Sequence, residues 1–95
     1  MITTCTSLDE VRANIDVIDS KIVALICERE QYVLQAANFK KSESDVKAPS
    51  RVEQVIEKVR NIAKQYNGNE IIVEKVYRTM IEAFINREMN EYKGK

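Results

Sequence analysis

Ninety-five residues are enough for one domain and leave no room for a second useful core. Fifteen basic residues balance fifteen acidic ones, so no bulk field exists to gather nucleic acid or an anionic membrane, and any cationic site has to be local. Histidine is absent, which excludes Ser-His-Asp triads and histidine metal sites, and the two cysteines, Cys5 and Cys27, cannot form a structural zinc site by themselves.

No apolar run approaches the roughly 18 residues that span a bilayer, and Met1 to Ser7 lacks a charged-then-apolar signal pattern. Two distant cysteines do not make a disulfide scaffold. The expectation is a soluble cytoplasmic protein, a single helical domain over residues 1–95, with neither a nucleic-acid nor a membrane partner.

In chain order, Ser7-Leu8-Asp9-Glu10 forms a capping box that opens the first helix. Leu8, Val11, Ile15, Ile18, Ile22 and Leu25 recur at three-four spacing and make one apolar stripe, with the helix expected to reach about Lys41. At 1.5 Å per residue such a helix is roughly 50 Å long, too long for a chain of this size to cover, so the stripe calls for a partner helix. Ser42 to Lys47 breaks the period and Pro49 pushes Ala48 out of the helical region, which reads as a loop. Ser50-Arg51-Val52-Glu53 repeats the capping-box pattern and opens a second helix, whose apolar face carries Val52, Val55, Ile56, Val59, Ile62 and Ala63. It ends near Tyr66, where Asn67-Gly68 supplies a residue able to adopt positive φ. A third helix runs from about Asn69 to about Tyr92, with Tyr77, Met80, Ile81, Phe84 and Ile85 on its apolar side. The fold class is all-α, three helices per chain.

Charges interrupt these stripes. Extending the first seam from Leu25 gives Arg29, and a further eleven residues, close to three helical turns, gives Lys40. Extending the last helix by four from Phe84 gives Glu88. An internal salt-bridge network explains such residues if the charges balance. Two cations facing one carboxylate leave a surplus that an anionic ligand accounts for better. Arg12 lies too far along and around the helix to serve the same site from the same chain, but in an antiparallel two-fold pair it approaches Arg29 and Lys40 of the other copy.

The segments Val11-Arg12-Ala13-Asn14-Ile15-Asp16 with Ile18-Asp19, Arg29 ahead of Tyr32-Val33, and Ala37-Asn38-Phe39-Lys40 resemble the all-helical chorismate mutase family over nearly the whole chain. The resemblance implies an intertwined homodimer of three helices per protomer that needs no cofactor and no metal. It implies a small dicarboxylate substrate, chorismate or isochorismate. Arg12 matches the arginine donated by the partner subunit to one carboxylate, and Arg29 the arginine that binds a carboxylate within the subunit. Lys40 matches the lysine that contacts a carboxylate and the ether oxygen, and Glu88 the Gln or Glu that hydrogen-bonds that oxygen. Lys40 and Glu88 are thus the expected catalytic residues.

The chemistry suits a chain without histidine, because a pericyclic rearrangement requires a compressed conformer and donors where charge grows on the ether oxygen, not a nucleophile. A millionfold acceleration corresponds to about 8 kcal/mol, within reach of orientation and electrostatics together. An ionised Glu88 can accept but not donate, so in this role it has to work protonated.

The main expectation is chorismate mutase, converting chorismate to prephenate. Ala48-Pro49-Ser50-Arg51-Val52, with Cys5-Thr6, also resembles isochorismate-pyruvate lyases, which form salicylate and pyruvate, and that activity is the alternative. Those lyases usually carry glutamine where Glu88 stands. Arg51 is a further candidate for substrate binding, from a mobile loop. A catalytically silent helical dimer or regulatory domain is the remaining class.

Overall fold

The computed structural model describes residues 2–94. Its elements are α1 (Leu8–Ala37), α2 (Glu43–Lys47), α3 (Pro49–Gln65) and α4 (Glu70–Lys93), and no strand occurs among the described residues. The three long helices are those expected; the one-turn α2 is an addition, lying where the sequence reads as a loop. No helix among the described residues is long and apolar enough to cross a membrane. The chain divides into two compact units, the first ending at Tyr32 and the second beginning at Val33, consecutive residues of α1.

In the first unit, Ser7 Oγ accepts from the Glu10 amide at 3.1 Å, as the capping box requires. The Glu10 carboxylate reaches one residue further back than the ideal box, accepting from Thr6 Oγ1 at 3.0 Å. The helix so started presents its stripe to solvent: Leu8, Ile15, Ile18, Ile22 and Leu25 are 47–63% exposed. Isolated exposed apolar residues are ordinary, but these lie along one face of a single helix.

The second unit contains nearly all of the buried core. α3 buries Ile56, Val59 and Ala63, α2 buries Val46, α4 buries Ile81, and the end of α1 buries Ala37. α3 packs on α4, and α2 also packs on α4. Their connection is a Schellman turn: Asn67 takes φ 57°, its amide donates to Lys64 O at 3.1 Å, and the Gly68 amide donates to Ala63 O at 2.8 Å. Asn69 then caps α4, its Oδ1 accepting from the amides of Ile71 and Ile72.

Ion pairs fasten the outer side of the α3–α4 hairpin. Arg78 donates from both terminal nitrogens to the two carboxylate oxygens of Glu53 and from Nε to Glu74, while Arg60 grips Glu70 and Glu74. Hydrogen bonds from Arg78 hold the carboxyls of Glu53 and Glu74 below their ordinary range, and the bond to Glu70 raises the Arg60 guanidinium.

Two helix boundaries differ from the sequence reading. α3 starts at Pro49, with Ala48 as its N-cap and no side-chain cap, so Ser50-x-x-Glu53 is not a capping box; proline at the first helical position needs no amide partner, and Glu53 is engaged by Arg78 instead. α1 stops at Ala37, short of Lys41, and the chain leaves it through tight turns in which the amides of Asn38, Phe39 and Lys40 each bond three residues back.

Candidate functional site

The early end of α1 changes how Lys40 is placed. It does not project from the helix in register with Arg29; it stands three residues past the helix end, on the turn that leads to α2. The extrapolated spacing along a straight helix therefore does not apply to the Arg29–Lys40 pair.

α2 forms because its two ends are satisfied locally. Ser42 Oγ accepts from the Asp45 amide at 3.2 Å, and an Asp45 carboxylate oxygen accepts from the Lys41 amide at 3.0 Å, a reciprocal cap shifted one residue back. At the other end Ala48 takes φ 37°, the left-handed conformation of a helix C-cap, its amide bonding to Ser44 O at 2.9 Å, and the following Pro49 disfavours continuing the right-handed helix through it. A five-residue helix leaves most of its carbonyls without an intrahelical partner. One of these, Asp45 O, accepts from Lys40 Nζ at 2.9 Å.

The same ammonium lies 3.3 Å from Glu88 Oε2. Glu88 lies two turns beyond Ile81 on the buried side of α4, and it is the one charged residue in the buried class among the described residues, 6% exposed. The contact to Lys40 is within ion-pair range but without hydrogen-bond geometry, so Oε2 is a buried oxygen that accepts no hydrogen bond. Buried polar atoms are seldom left in that condition outside functional sites.

The remaining expected residues are placed as follows. Arg12 lies in the second turn of α1 and is exposed; Arg29 lies on α1 in the first unit and is half-buried. Arg51 belongs to the first turn of α3, not to a loop, and donates to Gln54 Oε1 at 2.8 Å. The single chain thus brings together Lys40 and Glu88, and adds a group the sequence did not single out, the backbone carbonyl of Asp45. Ser42-x-x-Asp45 was the signal available for it. Among the described residues no group of three or more cysteine, aspartate or glutamate side chains is placed to hold a metal ion.

Lys40 Nζ thus stands between a backbone carbonyl and a buried carboxylate, in a chain of the all-helical class. The comparisons give the class its family. The family described as chorismate mutase type II matches residues 11–89, and the chain belongs to it. It is 33% identical over 76 residues to a chorismate mutase of Methanocaldococcus jannaschii, covering 79% of this chain and 77% of that protein. It is 30% identical over 89 residues to an isochorismate pyruvate lyase of Pseudomonas aeruginosa, covering 94% of this chain and 88% of that protein.

Proposed function

We propose that the protein is a chorismate mutase, acting as a homodimer in the cytoplasm. The observation that carries this reading is the pairing of Lys40 with the buried Glu88 in a chain of the type II family, with a Glu88 oxygen that accepts no hydrogen bond. In the rearrangement the ether C–O bond breaks as a C–C bond forms, and no atom leaves or enters. The protein has to hold the folded-over conformer and stabilise the negative charge that grows on the ether oxygen. Lys40 supplies a fixed positive charge there, and Glu88, beside it, is the second side chain assigned to that oxygen. Arg29 and the partner's copy of Arg12 hold the two carboxylates, a task suited to the planar, always-charged guanidinium. Arg51 assists from the start of α3, where the positive helix end meets no acidic residue in the first turn.

The exposed α1 stripe supports the two-fold assembly, since a second copy of the same helix is the surface that the stripe complements. Two free cysteines suit a reducing compartment.

A second reading, isochorismate-pyruvate lyase, is favoured by the Ala-Pro-x-Arg-Val segment at residues 48–52 and by the similarity to the Pseudomonas aeruginosa enzyme over 94% of the chain. There the same ether bond breaks while a ring hydrogen passes to the departing enolpyruvyl group, leaving salicylate and pyruvate. Both reactions use the same cation frame. Purified protein is to be given chorismate and isochorismate separately, with products resolved by chromatography. Prephenate from chorismate as the faster reaction supports the mutase, salicylate plus pyruvate as the faster reaction replaces it with the lyase, and neither product removes both.

A further inference from the structure

Lys40 has three N–H donors and two of its neighbours are provided by the protein: Asp45 O at 2.9 Å and Glu88 Oε2 at 3.3 Å. The first of these exists only while residues 43–47 are helical, because it is the folding of α2 that turns the Asp45 carbonyl toward the turn on which Lys40 stands. The fold of α2 depends in turn on the Asp45 side chain, which binds the Lys41 amide, and on Ser42 Oγ, which binds the Asp45 amide. Asp45 therefore joins the backbone on both sides of the lysine: its carboxylate ties down residue 41, and its carbonyl holds the ammonium of residue 40. A helix this short does not persist on its own, so these local bonds and the burial of Val46 are what maintain it.

We infer that Asp45 is a positioning residue, and that the α2 turn is a clamp which fixes the Lys40 ammonium beside Glu88 before any ligand arrives. The inference rests on the proposed role of Lys40 for its catalytic consequence, but its structural half concerns the free protein. Asp45 O takes one N–H of the ammonium, and Glu88 Oε2 lies beside it without hydrogen-bond geometry, so the clamp fixes the position of the ammonium and leaves two N–H directions for an incoming anionic oxygen. Loss of the Asp45 carboxylate frees the turn, lets Lys40 sample other rotamers and reduces turnover, while an amide at the same position keeps an oxygen for the Lys41 amide and preserves the clamp.

The test uses the full-length protein and four variants: Asp45→Ala, Asp45→Asn, Ser42→Thr and, as a control on the same turn, Glu43→Gln, whose side chain faces Lys93 at 3.5 Å rather than Lys40. Two readouts are taken. The first is the nitrogen resonance and hydrogen exchange of the Lys40 ammonium in the free protein. The second is kcat/KM, per folded enzyme, with chorismate and with isochorismate. Asp45→Ala is expected to shift the Lys40 resonance, speed its exchange and lower kcat/KM about tenfold, in line with the cost of a misplaced catalytic group. Asp45→Asn and Ser42→Thr are expected within about threefold of wild type, since each keeps the oxygen that the turn requires, and Glu43→Gln unchanged. An unaltered Lys40 resonance in Asp45→Ala overturns the inference, as does a loss in Asp45→Asn equal to that in Asp45→Ala, or a loss that vanishes when rates are expressed per folded molecule. If the wild-type protein acts on neither substrate, the proposed function fails, and the resonance alone decides whether the clamp exists.

Discussion

Removing the Lys40 charge while leaving Glu88 in place separates what the pair does for stability from what it does for function. Cutting one partner from a buried ion pair costs about 3–5 kcal/mol, mostly as the penalty of the charge left behind. Glu88 has a side chain only 8% exposed, but that of Lys40 is 24% exposed, so water screens part of the interaction. A loss of about 2 kcal/mol in Lys40→Met is the resulting expectation, which in a domain of this size lowers Tm by about 8–16 °C. Adding Glu88→Met removes the stranded carboxylate, and the double variant is expected to regain at least half of the lost Tm, since apolar replacement of a buried pair is often neutral or stabilising. Turnover is expected to stay lost in the double variant. Thermal unfolding followed by circular dichroism, alongside an assay on whichever substrate the wild type accepts, provides both axes. A double variant that recovers its rate, or a Lys40→Met protein with unchanged Tm, refutes the reasoning that this pair is kept for chemistry at the expense of stability.

Other outcomes follow from the same structure. If Glu88 acts at the ether oxygen, Glu88→Gln, which keeps the shape and can donate, is expected to retain turnover and Glu88→Leu to lose it; a Glu88→Leu enzyme as active as the wild type counts against the role. If the proposed homodimer forms through the exposed α1 stripe, Ile18→Glu, which places a charge in its middle, shifts the protein from dimer to monomer in sedimentation with loss of turnover and with α3 and α4 still helical; an unchanged sedimentation coefficient contradicts that interface. Arg78 holds the carboxyls of Glu53 and Glu74 below their ordinary range, so their contribution to stability is complete above about pH 4.5 and is lost as pH falls through the lowered folded-state values. Arg78→Met is therefore expected to reduce the urea midpoint near neutral pH and to make it less sensitive to acid, an effect that 1 M salt should weaken because the groups are solvent-accessible; equal acid sensitivity in variant and wild type contradicts it.

The long helices were legible because their signals are local and redundant. Ser7 and Glu10 act at the first helix start, Asn67 takes the left-handed conformation at the end of α3, and Asn69 caps α4. The position of Glu88 on the buried side was also legible, since it follows Phe84 of the apolar side by four residues. α2 was not, because five residues are too few for an apolar period and its only buried side chain is Val46. Missing it had a consequence for the site: Lys40 was assigned to the face of a helix that in fact ends at Ala37, and the carbonyl that holds its ammonium went unread although Ser42-x-x-Asp45 marks the turn that carries it. Arg51 was misplaced for a related reason, as Pro49 begins α3 ahead of the apparent cap at Ser50. The apolar stripe of α1 was legible from its spacing, and its residues are exposed as the length of the helix led one to expect.

Subunit complementation tests the proposed shared site most directly. Arg12→Ala and Arg29→Ala chains, each expected to be inactive alone, are unfolded, mixed in equal amounts and refolded. If each site takes Arg29 from one copy and Arg12 from the other, a mixed dimer has one intact site and one doubly damaged site, and random pairing returns about one quarter of the wild-type activity. Mixing Arg29→Ala with Lys40→Met, two changes assigned to the same copy of a site, should return none. Mixed Arg12→Ala and Arg29→Ala dimers that form but remain inactive would contradict the account.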